Sequence, residues 1–173
     1  MSPGEKPTFT RRPSGTSAVT ARSKCSGHSW ASVTETASSP AIAASEALGA
    51  WYAFGHGALQ RLADAATAGD EAVSVTEAQL WPEHFDLAVT ADVADGRQVN
   101  VGFSPGDTFS AEPYLYVGPH DTSSLDDPFW NAPFGAYVTY EELRGRLDPA
   151  AAADGFINRG LAVAAERSSR DSG

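Results

Sequence analysis

His84 and Asp86, two positions apart in LWPEHFDLAV, are the residues of this sequence best suited by type and spacing to do chemistry. On an extended strand, residues i and i+2 leave the same face about 7 Å apart, close enough to share an ion or a water. An imidazole beside a carboxylate serves in two ways. The pair supplies two ligands for zinc or iron, or a general base with the group that orients it. Further ionisable residues follow: Asp107 closes a Pro105-Gly106-Asp107 turn, Glu112 precedes a tyrosine-rich run, and His120 stands beside Asp121. The candidate catalytic residues are therefore His84, Asp86 and Asp107. The candidate metal ligands are His84, Asp86, Glu112 and His120.

Each candidate also has a plainer reading. His84 and Asp86 can lie on a solvated strand face, Asp107 can bond its own turn backbone, and His120 can be an exposed loop residue. Aromatic residues crowd the same region, and most of them belong in a core. A surplus at a pocket mouth makes Trp81, Tyr114, Tyr116 and Trp130, with His84 and Asp86, the candidate ligand-binding set. The sequence has no nucleophile elbow, P-loop, His-Glu-x-x-His or Gly-x-Gly-x-x-Gly motif, so the easily recognised enzyme classes are excluded and no cofactor is indicated.

These side chains must be positioned by the elements around Trp81–Val117. Phe85, Leu87, Val89, Ala91 and Val93 alternate with His84, Asp86, Ala88, Thr90 and Asp92, which predicts a strand with two distinct faces. Asp95-Gly96 then predicts a tight hairpin turn into a second strand, Gln98–Phe103. Pro113–Val117 reads as a third strand and Ala136–Val138 as a fourth, with Val73–Val75 and Leu80-Trp81-Pro82 as edge segments.

Ser39 and Pro40 mark the start of a helix that Gly69 stops, with Leu48, Trp51, Tyr52, Leu59 and Leu62 on its apolar face. Gly55 and its neighbours Gly49 and Gly57 would let this helix lie close to the sheet. Thr139 and Glu142 have capping-box spacing, and Asp148-Pro149 opens a final helix with Phe156, Ile157, Leu161 and Ala164 as its buried stripe. The expected fold is α+β: an antiparallel meander of about three to five strands, with one N-terminal and two C-terminal helices packed on it.

Composition divides the 173 residues at about Ala41. Residues 1–40 contain fifteen Ser or Thr and a charge of +3, and read as a disordered tail. The break in charge sign raises a non-native start as a second explanation for this segment. Residues 41–173 read as a single domain with seven Arg, no Lys and twenty acidic residues, a balance of −13. So acidic a body disfavours nucleic acid and membrane surfaces as partners, and leaves a small molecule or a protein. Cys25 is the only cysteine, and no apolar run reaches membrane-spanning length, which together point to the cytoplasm.

The segments HFDLAV (84–89), GFSPGD (102–107), EPYLYV (112–117), DPFWNAPFGAYV (127–138) and YEEL (140–143) resemble, in order and spacing, an uncharacterised actinobacterial group. Its members carry H-x-F-D-L-A-V, G-x-x-P-G-D and E-P-x-x-Y motifs, and the resemblance covers roughly residues 46–168. It implies the fold and its boundaries and supplies no catalytic residue. Members of the group are longer on the N-terminal side, with additional strands, so the chain also reads as a truncated member with an open strand edge. The leading expectation is a small-ligand-binding or protein-interaction module. A metal-assisted enzyme, hydrolase or oxygenase-like and built on His84 and Asp86, is the alternative.

Overall fold

The computed structural model describes residues 40–69, 74–93, 96–123 and 125–166. The expected tail, Ser39 and Val73 lie outside them. Backbone contacts group the described residues into one compact unit. It is an α+β fold.

Helix α1 (Pro40–Ala68) begins at the proline and stops before Gly69. It is followed by β1 (Ser74–Val75), β2 (Gln79–Trp81), β3 (Asp86–Val93), β4 (Arg97–Ser104), β5 (Tyr114–Pro119) and β6 (Ala136–Thr139). Helices α2 (Tyr140–Arg144) and α3 (Pro149–Glu166) close the chain. The six strands form one antiparallel sheet in the order β1-β3-β4-β5-β6, with β2 also pairing β3, so two short segments share the outer edge of β3.

Register separates the two faces of the sheet. Leu87 pairs Phe103, Phe103 pairs Leu115, and Leu115 pairs Val138. With Val89, Val101 and Val117 they make an apolar layer that α1 and α3 cover. Close approach has a visible cause. A Cβ on Gly55 of α1 would lie 2.6 Å from the Phe103 ring, so the glycine is what lets the helix reach β4. Gly49 and Gly57 have no such role, since nothing of the sheet lies against them.

Local signals in the sequence act as their chemistry demands. Thr139 caps α2 by a full capping box with Glu142, and Asp148 Oδ1 accepts the Ala151 N–H at the start of α3. At the outer edge of the sheet, Asn131 pairs with β6 through its side chain. Its Nδ2 donates to the Tyr137 carbonyl and its Oδ1 accepts the Tyr137 N–H. Asn131 fills the place of a seventh strand there.

Three expectations are corrected. Phe85 is outside the strand: residues 82–85 form the turn between β2 and β3, and Phe85 adopts φ 56°, which throws its ring into solvent. The Trp81–Asp86 pair closes this four-residue loop, so β3 starts at Asp86 and His84 is a loop residue. Leu48 is exposed because the first turns of α1 run past the covered face, and burial begins at Trp51. In α3 the buried stripe is Ala153, Ile157, Gly160, Val163 and Ala164, with Phe156 and Leu161 at its borders. Small residues face the sheet there because α3 packs tightly, with Gly160 against Val117.

Candidate functional site

The face of the sheet opposite the helices carries a cleft of about 630 Å³. Register builds its floor. Asp86 stands at the start of β3 beside the end of β4, where Ser104 pairs Tyr114; one row on, Ala88 pairs Gly102, which pairs Tyr116. Small residues in the second row make room for the large one. A Cβ on Gly102 would fall 2.5 Å from the Tyr116 hydroxyl oxygen, so the phenol end of Tyr116 occupies the space that any other residue would fill. The walls come from two turns. Phe109 belongs to the loop after Pro105. Phe134 sits at the tip of a turn closed by mutual backbone hydrogen bonds of Ala132 and Gly135. Phe109 meets Phe134 and Tyr137 edge to face at 4.9 and 5.0 Å, while Tyr114 and Tyr116 complete the aromatic wall.

Two carboxyl groups in this cleft are opposites. Asp86 is 6% exposed, and its Oδ1 is buried without a hydrogen-bond partner. Burial pushes its carboxyl above the ordinary value, against the opposing influence of the Ser104 and Tyr116 hydroxyls and of His84. Asp107 is fully engaged. Its Oδ1 accepts the N–H groups of Phe109 (2.7 Å) and Ser110 (3.1 Å), and its Oδ2 accepts the Tyr114 hydroxyl at 2.9 Å. Partial burial is the largest single influence on Asp107 and acts upward, yet these hydrogen bonds together outweigh it and hold the carboxyl below the usual range. Burial and the neighbouring carboxylates also raise the Tyr114 and Tyr116 phenols, which stay protonated as donors.

Of the residues singled out in the sequence, His84, Asp86, Asp107, Tyr114, Tyr116 and His120 all line the cleft. His84 arrives from the turn, not from the strand face, and His120 from the end of β5. The remaining three lie elsewhere. Trp81 is half-buried on β2, Trp130 belongs to the core beneath α3, and Glu112 is exposed, its backbone bonded to the Ser110 side chain. Among the described residues, no group of three or more His, Cys, Asp or Glu side chains is arranged to hold a metal ion. The metal candidates therefore share a cleft without forming a ligand set.

Asn100, Ser104, Phe109 and Phe134 were not singled out as site residues, although they line or floor the cleft. Asn100 Oδ1 accepts the Thr90 hydroxyl at 3.0 Å and lies 2.9 Å from His120 Nε2, within hydrogen-bond distance. Cross-strand register brings Asn100 and Ser104 there, and two turns bring Phe109 and Phe134. The alternation of Asn100 and Gly102 with apolar neighbours in β4 is the one sequence signal, and it points to Asn100 alone.

Comparison with protein-family models, with curated proteins and with solved structures finds no match. Among the described residues, no helix is long and apolar enough to cross a membrane.

Proposed function

We propose that this domain binds a small organic ligand in the aromatic cleft, as a ligand-binding module. The observation that carries this reading is the Asp86 Oδ1, buried without a partner at the floor of a cavity of about 630 Å³. A buried acceptor left unsatisfied costs about 1–3 kcal/mol, and such groups persist where a ligand or water completes them. Aromatic walls with a few convergent polar groups are the usual make-up of a small-molecule site. The segments on which the resemblance to the actinobacterial group rests supply His84 and Asp86, Gly102 and Asp107, Tyr114 and Tyr116, and Phe134. Those segments thus converge on one cleft.

Catalysis by the same residues is the weaker reading. Asp86 above and Asp107 below their common reference is the pattern of an acid paired with a base. Asp107, however, already spends both oxygens on Phe109, Ser110 and Tyr114, so it serves the loop first. The metal-assisted variant lacks a third converging ligand among the described residues. A cytoplasmic setting is supported by the lone Cys25, and the acidic body speaks against nucleic acid as a partner.

The test is a thermal-shift screen of the full chain against a library of small aromatic and polar organic compounds. Binding to the native state raises the melting temperature, and true ligands of the cleft lose that effect in Phe134→Ala. A library that gives no shift, or shifts that Phe134→Ala leaves intact, sinks the reading.

A further inference from the structure

If the cleft is a ligand site, as proposed above, its chemistry narrows the class of ligand. We propose that the cleft selects organic amines in their cationic form, with Asp86 as the counter-ion at the floor and the rings of Tyr114, Tyr116 and Phe134 around the ammonium group.

Three observations converge on this class. First, the cleft lining contains two carboxyl groups and no Lys or Arg. An anionic ligand would bring a third negative charge beside Asp86 and Asp107, with only the imidazoles of His84 and His120 in the lining to offset it. Second, Asp107 is saturated by its own loop and by Tyr114, whereas Asp86 Oδ1 is buried with no hydrogen-bond partner, although the Ser104 and Tyr116 hydroxyls stand near the carboxyl. A ligand N–H donor satisfies that oxygen, and a charged donor does so about twice as strongly as a neutral one. A purely apolar ligand would seal it in unpaired. Third, the walls are aromatic, with Tyr114 and Tyr116 4% and 9% exposed, and Phe134 packed against both. Aromatic ring faces attract a desolvated cation through their quadrupole.

Size sets the remaining condition. A cavity of about 630 Å³ is far larger than an ammonium ion, so the cation must carry an organic group that fills the space toward Phe109. Burial now opposes the ionised form of Asp86. A bound cation reverses that balance, because an opposite charge at contact favours the carboxylate.

The experiment is calorimetric titration of the full chain at neutral pH with phenethylamine and with 2-phenylethanol, which share shape and differ in the charged donor. The amine should bind at least about tenfold more tightly than the alcohol, the worth of one charge-assisted contact with ring stabilisation. Asp86→Asn, which keeps the shape and removes the charge, should abolish that preference. An alcohol that binds as tightly as the amine overturns the amine inference and leaves the cleft as a site for neutral ligands. An amine preference that survives in Asp86→Asn overturns it equally. If neither compound binds, nor any member of the wider library, the inference and the ligand-site reading fail together. The comparison of the two compounds on the unmodified protein decides the matter even if Asp86→Asn does not fold.

Discussion

The hydroxyl of Tyr52, on α1, donates a 2.5 Å hydrogen bond to the carbonyl oxygen of Phe85, the residue that turns the chain into β3. Its neighbour Trp51 donates from Nε1 to the Ser104 carbonyl at 2.8 Å. Consecutive residues of one helix thus hold the start of β3 and the end of β4 from behind the sheet. Asp86 projects from one of those ends into the cleft on the other side, and the buried Ser104 side chain lies beside it. The helix never lines the cleft, yet it fixes the row of residues at its floor.

Replacing Tyr52 by Phe should remove only that hydrogen bond. Stability should fall by about 0.5–1.5 kcal/mol, the net worth of one such bond, read as a lower urea midpoint at unchanged slope. Ligand affinity at the cleft should fall with it, because Asp86 follows directly on Phe85. An unchanged midpoint would mean that the Phe85 carbonyl is equally well served by water.

Phe85 is the one non-glycine residue with positive φ among the described residues, and its side chain is 61% exposed. Left-handed backbone costs an ordinary L-residue about 1–2 kcal/mol. Phe85→Asn should be neutral or stabilising, since asparagine tolerates that region and little buried surface is lost. Phe85→Val should destabilise by about 1–2 kcal/mol, because a β-branched residue tolerates it least. Thermal unfolding of the two variants orders them; the reverse order would mean that the turn has another conformation.

Gly102→Ala places a methyl group where the Tyr116 phenol lies. The ring must move out into the cleft, at an overpacking cost of about 1–3 kcal/mol. Ligand binding should be lost while far-UV circular dichroism stays that of the parent, because the helix-covered face of the sheet is untouched. Retained binding would show that Tyr116 is not part of the wall.

The two cleft carboxyl groups should give opposite pH dependences. Asp86 has a folded-state pKa above its reference of 3.8, so the folded protein holds this proton more tightly than the unfolded chain. Its contribution is fully present below 3.8 and is lost as pH rises through the raised folded value. Asp107 is depressed below the same 3.8, so its contribution is present above that value and lost as pH falls through the folded one. Asp86→Asn should therefore gain stability relative to the parent as pH rises above about 3.8, whereas Asp107→Asn should lose it as pH rises toward about 3.8 from below. Urea titrations between acid and neutral pH on the three proteins measure both slopes, and parallel curves would refute the assignment.

Much of the scaffold was legible because it is written locally. Pro40 and Gly69 bound α1, Thr139 with Glu142 caps α2, and Asp148-Pro149 opens α3, each through contacts within a few residues. Gly96, at φ 70°, gives the β3–β4 hairpin the backbone freedom expected of it; Asp95 lies outside the described residues. The same alternation that marked β3 misled at its first residue. Phe85 fits the apolar face by type, but a four-residue loop places it in the left-handed region, and periodicity carries no record of φ. Half of the site was visible as titratable residues close in sequence. Asn100, Ser104 and Phe134 were not, because they reach the cleft through strand register and a distant turn. Trp130 shows the converse: its type suits a pocket, and packing against Phe129 puts it in the core.

The Asn131 side chain bears on how these molecules behave when crowded. Proteins with open sheets join by lending strands to one another, the step from which fibres grow. At Tyr137 both the N–H and the C=O are already taken by one amide of the same chain. A neighbour's strand would have to evict that amide before its own first ladder bond could form there. Asn131 therefore blocks strand addition at Tyr137, independent of anything that enters the cleft.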